Sequence, residues 1–345
     1  MLDDPAAIAT QDSQNALGKA QEQWKQLTYA FVIENWVKPK ELPKNIVFSG
    51  MGGSALAASL SLTWPGYRVS FEICRSYTIP AYVNSSTLFI ASSYSGNTEE
   101  ELSALEAALR AGARIIVIAS GGQLVKRARE LHLPVIILPS GYQPRHAVLY
   151  AFRALVMVLE KEGLTAEAEA ERIIRETANF LRDSVEWWKA ETPIEHNYPK
   201  QVAIKLHGTA PVIYSGPLMS PAAYKWKISF NENAKNIAWW NQLSEFNHNE
   251  MIGWSHPNDK PYAVVQLRSS LEHDRIQKRF EVTTKTLENV WPEPIVINAE
   301  GDTPLEQLLW FVVFGDHVSI YLALLNGVNP TEVNLIERFK HDLDS

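Results

Sequence analysis

Residues 87–119 read TLFIASSYSGNTEEELSALEAALRAGARIIVIA, and this stretch sets the fold class. Thr87–Ala91 (TLFIA) is a short apolar run of the kind that forms a strand buried on both faces. EEELSALEAALRAG follows as a helix pattern that opens on acidic residues and stops at Gly112. Arg114–Ala119 (RIIVIA) is another buried strand. Working outward, Asn45–Ser49 (NIVFS) stops at Gly50, Gly52 and Gly53, and a helix-compatible SALAASLSL follows. Val69–Ile73 and Pro134–Leu138 (PVIIL) complete five strand candidates. Short apolar strands separated by helices imply an α/β unit: a parallel sheet flanked by helices on both faces.

Residues 145–190 read as long helices rich in Ala, Glu, Leu and Arg, a natural connection between halves. Val212–Ser215 (VIYS), Ala263–Leu267 (AVVQL) and Ile295–Asn298 (IVIN) then mark a second parallel α/β unit, with helical segments between them. The 345 residues exceed one ordinary core. The expected division is residues 1–155 and 156–345. No short-period repeat and no low-complexity tract interrupts the chain.

Composition narrows the function classes. Hydrophobic residues make up 46% and charged residues 21%, the range of a soluble globular protein. The net charge of -7 argues against a nucleic-acid partner, because no basic surplus is present to neutralise a phosphate backbone. A small anionic ligand needs only a few local donors. Cys74 is the sole cysteine, so no disulfide forms within the chain and a cytoplasmic location is expected. The N-terminus MLDDPAAIATQDSQNALGKAQ lacks the pattern of a secretory signal. The apolar stretch LLWFVVFGDHVSIYLALL contains Asp316 and His317 and is expected as a buried helix, with no membrane partner.

Two loops carry unusual chemistry where an open parallel sheet binds ligands, beyond the carboxyl ends of its strands. One is Ser49-Gly50-Met51-Gly52-Gly53-Ser54. The other is Ser92-Ser93-Tyr94-Ser95-Gly96-Asn97-Thr98. Glycine lets the backbone approach an anion, a following helix offers unpaired N–H groups, and hydroxyls donate without adding charge. For either loop alone, a tight turn with local hydroxyl caps accounts for the residues as well, and Thr98 before Glu100 and Glu101 also reads as an N-cap. Two such loops, each after a buried strand and before a helix, favour a neutral phosphate cradle. Gly50-x-Gly52-x-x-Ala55, with Glu72 22 residues after Gly50, formally fits a dinucleotide fingerprint. The hydroxyl cluster of the second loop has no role in that fingerprint. No P-loop is present.

The segment YKWKISFNENAKNIAWWNQLSEFNHNEMIGW, residues 224–254, is dense in polar groups yet holds four tryptophans. Its centre offers Glu232, Lys235, Glu245, His248 and Glu250. In chain order the sequence carries GMGGSA, SSYSGNTEE, PRHAV at 144–148, NENAK at 231–235, EFNHNEMIGW at 245–254 and a C-terminal lysine helix. This combination resembles the bifunctional phosphoglucose/phosphomannose isomerase family over nearly the whole chain. The resemblance implies two sugar-isomerase (SIS) domains. It also implies an aldose–ketose isomerase of glucose 6-phosphate, and of mannose 6-phosphate, with fructose 6-phosphate. It implies that Ser54, Ser93, Ser95 and Thr98 hold the phosphate, with the backbone of Gly52 and Gly53. It implies Glu232 as the base, Arg145 as the group that stabilises the enediolate, and His248 with Lys340 as the ring-opening pair. By the same resemblance His248 is supplied by the neighbouring subunit of a homodimer, and Thr331 is associated with the mannose epimer. Two departures stand out: NIAWWNQLS replaces a proline-containing segment, and Phe246 stands where leucine or methionine is usual.

These residue types suit the reaction. Moving a proton between C1 and C2 needs a carboxylate whose pKa is raised by burial. The enediolate needs a fixed cation, and arginine stays charged in any pocket. Histidine titrates near neutral pH and can open a ring. No cofactor is required. His132, His196, His207, His256, His273, His317 and His341 form no zinc pattern, so no metal is expected. Taken singly, each residue has an ordinary reading: Glu232 as a solvated helix glutamate, His248 as a hydrogen-bonded histidine, Arg145 as a helix cap, Lys340 as a terminal lysine. A sugar-phosphate sensor would keep the cradle hydroxyls and have no use for Glu232, His248 and Lys340 together.

Overall fold

The structure is a computed structural model that describes residues 1–343. The chain forms two compact units: one from Gln23 to Asn179, the other from Met1–Glu22 together with the chain from Phe180 onward. The expected boundary at residue 155 falls inside the unbroken helix Val148–Lys161. That helix packs against the helix Gly52–Thr63 of its own unit, so a division there would split one core.

In the Gln23–Asn179 unit, strands β1 (Asn45–Gly50), β2 (Ser70–Cys74), β3 (Thr87–Ser93), β4 (Arg114–Ala119) and β5 (Val135–Ile137) form one sheet in the order β2-β1-β3-β4-β5. Every pairing is parallel. All seven residues of β3 are buried, as its lack of alternation predicted. The helix Glu99–Arg110 places Ala104, Leu105 and Ala108 on the sheet. Glu99 to Glu101 lie in its first turn and Arg110 in its last, each matched to the helix dipole. Gly112, at φ +71, ends it. The chain leaves β1 for β2 on one side and reaches β3 on the other. The loops after β1 and β3 therefore flank the point where strand order reverses, the place where open parallel sheets bind ligands.

In the other unit, β6 (Ala210–Ser215), β7 (Trp239–Gln242), β8 (Tyr262–Arg268) and β9 (Ile295–Asn298) form a parallel sheet in the order β7-β6-β8-β9. Strand β7 was not expected. WWNQ has no apolar run, and it is a strand because Val212 to Ser215 pair with Trp239 to Gln242 at the sheet edge. The helix Pro304–Leu325 opens on a capping box between Thr303 and Glu306. It is long and apolar enough to cross a membrane, and 94% of its apolar window is buried inside the protein. Its polar groups are neutralised locally. Asp316 pairs with buried Lys225 and accepts from Ser229 Oγ at 2.7 Å. Buried His317 contacts the Val313 carbonyl through Nδ1 at 2.8 Å, and burial pushes its pKa down to about 4, so it stays uncharged at neutral pH. Gln11 ties the N-terminal segment to the end of this helix, donating to Leu324 O at 3.1 Å and Val328 O at 3.3 Å.

Candidate active site

The carboxyl ends of β1 and β3 bring the two hydroxyl-rich loops together. Tyr94 N donates to Ser54 Oγ at 3.1 Å, which joins the second loop to the first. Ser93 Oγ lies 2.8 Å from Thr98 Oγ1 and 3.5 Å from Ser95 Oγ. Gly96 N donates to Ser93 Oγ at 3.1 Å. Thr98 occupies the N-cap position of Glu99–Arg110 but makes no side-chain cap, and Met51 at the head of Gly52–Thr63 makes none either. The hydroxyls thus converge on one another rather than closing off the helix ends. Ser93, Ser95 and Thr98 form one cluster, and Ser54 is joined to it through the Tyr94 N–H.

Glycine makes this close approach possible at two points. Gly96 sits at φ +70, and a Cβ there would lie 1.8 Å from the Gly121 carbonyl. A Cβ on Gly53 would lie 2.9 Å from Pro144 O and 3.3 Å from Arg145 N. The first loop therefore packs directly on the short 3-10 turn Pro144–His146, which carries the fully buried Arg145. Arg145 Nη1 reaches Gln143 Oε1 at 3.4 Å.

Sequence reasoning missed several supports of this cluster. Tyr94 anchors the loop through its hydroxyl, which donates to Pro139 O at 2.8 Å and accepts from Tyr142 N at 3.1 Å. Ser120 Oγ donates to Tyr94 O at 2.6 Å, and Gly121-Gly122 back the loop. The Ser120-Gly121-Gly122 that follows β4 is the signal that would have found them. Glu101 is fully buried behind the loop, and neither carboxyl oxygen completes a hydrogen bond among the described residues. Burial pushes its carboxyl up to about 8, against the smaller opposing influence of the Ser49 hydroxyl.

Glu232 belongs to the other unit. It is the last residue of the helix Ser220–Glu232, which leaves the carboxyl end of β6 and runs back to the start of β7. Its C-terminal end therefore lies at the amino edge of the sheet. Asn236 confirms this by donating to Thr209 O, one residue before β6, at 2.9 Å. Glu232 is half-buried in a cavity of about 410 Å³ lined also by Asn231, Lys235, Asn329, Val333 and Leu335. Phe230 points into the core against Trp226, and the apolar lining of the cavity is aliphatic. Lys235, at φ +51, straps the helix end down, donating to Glu232 O at 3.0 Å and to Asn329 O. Thr331 is buried in the same C-terminal stretch, its N–H donating to Asn329 Oδ1 at 2.8 Å. Lys340 is exposed on the helix Asn334–Leu343 and pairs with Glu337 at 2.9 Å.

His248 is not brought to Glu232. It ends the short helix Glu245–His248, whose Phe246 packs with Tyr214, Phe280 and Trp291. Asn247 beside it donates to Thr283 Oγ1 at 2.8 Å. Tyr214 and Val212 face this cluster, so by strand alternation Ile213 faces the opposite side. On that side lie the helices Ser220–Glu232 and Pro304–Leu325, packed on each other. Within one chain the exposed His248 and the half-buried Glu232 thus belong to layers on opposite faces of the second sheet. Among the described residues no group of three or more His, Cys, Asp or Glu is placed to hold a metal.

Solved structures share this architecture. A glucose-6-phosphate isomerase like protein from Thermus thermophilus superposes with a TM-score of 0.63 at 22% identity, covering 99% of this chain and 98% of that one. The C-terminal domain of glucosamine-fructose-6-phosphate aminotransferase from Francisella tularensis superposes at 0.67 with 14% identity, covering 92% of this chain and 98% of that one. Paired parallel sheets with a hydroxyl cluster at a switch point define a protein of the double SIS-domain class.

Sequence likeness is finer. Residues 195–343 match the family described as bacterial phospho-glucose isomerase C-terminal SIS domain. A bifunctional phosphoglucose/phosphomannose isomerase of Caldicellulosiruptor bescii is 37% identical over 312 residues, 89% of this chain and 91% of the relative. One of Aquifex aeolicus is 34% identical over 87% of this chain and 90% of the relative. A D-glucosamine-6-phosphate 4-epimerase of Sulfolobus acidocaldarius is 31% identical over 72% of this chain and 76% of the relative. The chain belongs to the bifunctional phosphoglucose/phosphomannose isomerase family.

Proposed function

We propose that this chain is an aldose–ketose isomerase interconverting glucose 6-phosphate, and its C2 epimer mannose 6-phosphate, with fructose 6-phosphate. Family membership supports the substrates and the reaction. The observation that supports the reading most is the cradle: the hydroxyls of Ser93, Ser95 and Thr98 lie against one another, Thr98 caps no helix, and Ser54 of the first loop meets the second through the Tyr94 N–H. Its neutral donors and free helix ends suit a phosphate dianion.

In this reading Ser54, Ser93, Ser95 and Thr98 hold the phosphate. Glu232 removes the proton from C2 of the open-chain aldose and returns it to C1. The C1 carbonyl becomes a hydroxyl as the C2 hydroxyl becomes the carbonyl. Arg145, fixed in charge and buried, stabilises the enediolate between the two proton transfers. Return of the proton to either face of C2 yields the glucose or the mannose epimer, and Thr331 is the residue proposed to admit the latter. His248 and Lys340 open the ring. The placement of Glu232 and His248 on opposite faces of one sheet supports a homodimer in which each site draws His248 from the second copy.

The test is a coupled assay with fructose 6-phosphate that scores glucose 6-phosphate and mannose 6-phosphate separately, for the parent and Glu232→Gln. The expected result is binding retained with turnover down at least ~100-fold, the scale of a lost general base. Near-parental turnover removes Glu232 from the role. A parent active only on an amino sugar 6-phosphate moves the assignment toward the chemistry of the Sulfolobus relative.

A further inference from the structure

The two sheets repeat one plan. Strand order β2-β1-β3-β4 in the first matches β7-β6-β8-β9 in the second. Ser49 of β1 pairs with Ala91 of β3, and Ser215 of β6 pairs with Leu267 of β8. From these serines the chain runs Ser49-Gly50-Met51-Gly52-Gly53-Ser54 in one unit and Ser215-Gly216-Pro217-Leu218-Met219-Ser220 in the other. The turns agree as well. Ser54 N donates to Met51 O at 3.0 Å, and Ser220 N donates to Pro217 O at 3.3 Å. Leu218 and Met219 thus stand where Gly52 and Gly53 stand in the phosphate cradle, at the head of a thirteen-residue helix.

That second seat is filled. Glu272 comes from the loop after β8, the counterpart of the loop that carries Ser95 and Gly96. Its Oε1 accepts from Leu218 N at 2.9 Å and from Met219 N at 3.3 Å. The side chain is buried, and Gly216 makes room for it, since a Cβ there would lie 2.3 Å from the carboxyl. Burial pushes the Glu272 carboxyl up while the two N–H donors hold it back. An isolated helix end would prove nothing, but here a buried carboxylate is already seated on the paired donors.

We propose that Glu272 is a built-in anion: in the second sheet its carboxylate occupies the seat that substrate phosphate takes in the first. Each chain accordingly holds a single phosphate, and removal of the carboxylate opens a second site for inorganic phosphate. The proposal rests on the cradle reading for Ser54 and Ser93.

The probe is inorganic phosphate, with binding counted by equilibrium dialysis at constant ionic strength. We expect one phosphate per chain for the parent and for Glu272→Gln, whose amide keeps the seat filled, and two for Glu272→Ala. With Ser54→Ala and Ser93→Ala added, the counts fall to none and one. A parent that binds two, or a folded Glu272→Ala that binds no more than its parent, overturns the proposal. If Glu272→Ala is unstable, phosphate must raise its melting temperature where chloride of equal ionic strength does not, and equal effects of the two anions overturn the proposal too. If Ser54→Ala with Ser93→Ala leaves the parental count at one, the cradle reading has failed instead.

Discussion

Thr98 Oγ1 stands 2.8 Å from Ser93 Oγ and leaves the helix it opens without a side-chain cap. A threonine at an N-cap ordinarily satisfies a backbone N–H, a contact worth about 1 kcal/mol. Here the hydroxyl meets the Ser93 hydroxyl instead, the arrangement on which the proposed phosphate cradle rests. Ser93→Ala and Thr98→Ala are expected to fold and to raise KM for fructose 6-phosphate about tenfold or more each, the cost of one charge-assisted hydrogen bond. Steady-state kinetics with a thermal melt as control checks this. Unchanged KM in a folded variant removes that hydroxyl from the cradle.

Two glycines of left-handed conformation should respond differently to alanine. Gly52, at φ +50, has open space where a Cβ would go, whereas at Gly96 a Cβ would meet the Gly121 carbonyl at 1.8 Å. Gly52→Ala is expected to cost about 1 kcal/mol, the backbone term alone. Gly96→Ala adds displacement of the loop, with a total of ~3 kcal/mol or more and loss of substrate binding. Denaturant titration of both variants gives the comparison, and equal costs would contradict the packing described.

Glu101 predicts a pH effect on stability. Its carboxyl is raised from 4.5 to about 8, so the folded state holds a proton that the unfolded chain releases. Stability from this group is full below about pH 4.5 and is lost as pH rises toward 8, at up to about 1.4 kcal/mol per unit. Glu100 and Cys74, the titratable groups that act on it, push in the same direction or sit neutral. Glu101→Gln has no proton to lose and should flatten the decline in melting temperature between pH 5 and 8. A parent and variant with parallel profiles would show that Glu101 is ionised in the folded protein.

The shared-site proposal gives a mixing experiment. Glu232→Gln and His248→Ala should each be nearly inactive alone. Unfolded together and refolded, half the dimers are mixed, and each mixed dimer has one site with both groups intact. Activity should return to about one quarter of the parental value. A mixture as inactive as its components would place both groups of each site on one chain.

Much of the architecture was legible because buried parallel strands announce themselves as unbroken apolar runs. Among the described residues, eight of the nine strands fall on the expected segments, and of these β2 (SFEIC) is an alternating, half-exposed edge strand rather than an apolar run. Strand β7 falls on none, because Trp239–Gln242 is half-exposed and owes its conformation to pairing with Val212–Ser215. The division of the chain was misplaced because helix propensity is continuous through Val148–Lys161. That the two hydroxyl-rich loops meet was readable from their position just after two buried strands. Glu101 was not, since three successive glutamates look alike as an acidic first turn and only one of them is buried. Glu272 was hidden by distance, its donors lying 54 and 53 positions earlier in the chain.

The Met1–Glu22 segment shares a unit with residues from Phe180 onward, and Gln11 bonds carbonyls near residue 324. During synthesis the Met1–Glu22 segment therefore gains its neighbours only after the chain beyond Phe180 has been made. The Gln23–Asn179 unit has its whole sheet in hand before that, so synthesis completes the unit with the hydroxyl cluster while the unit that carries Glu232 still lacks its later strands.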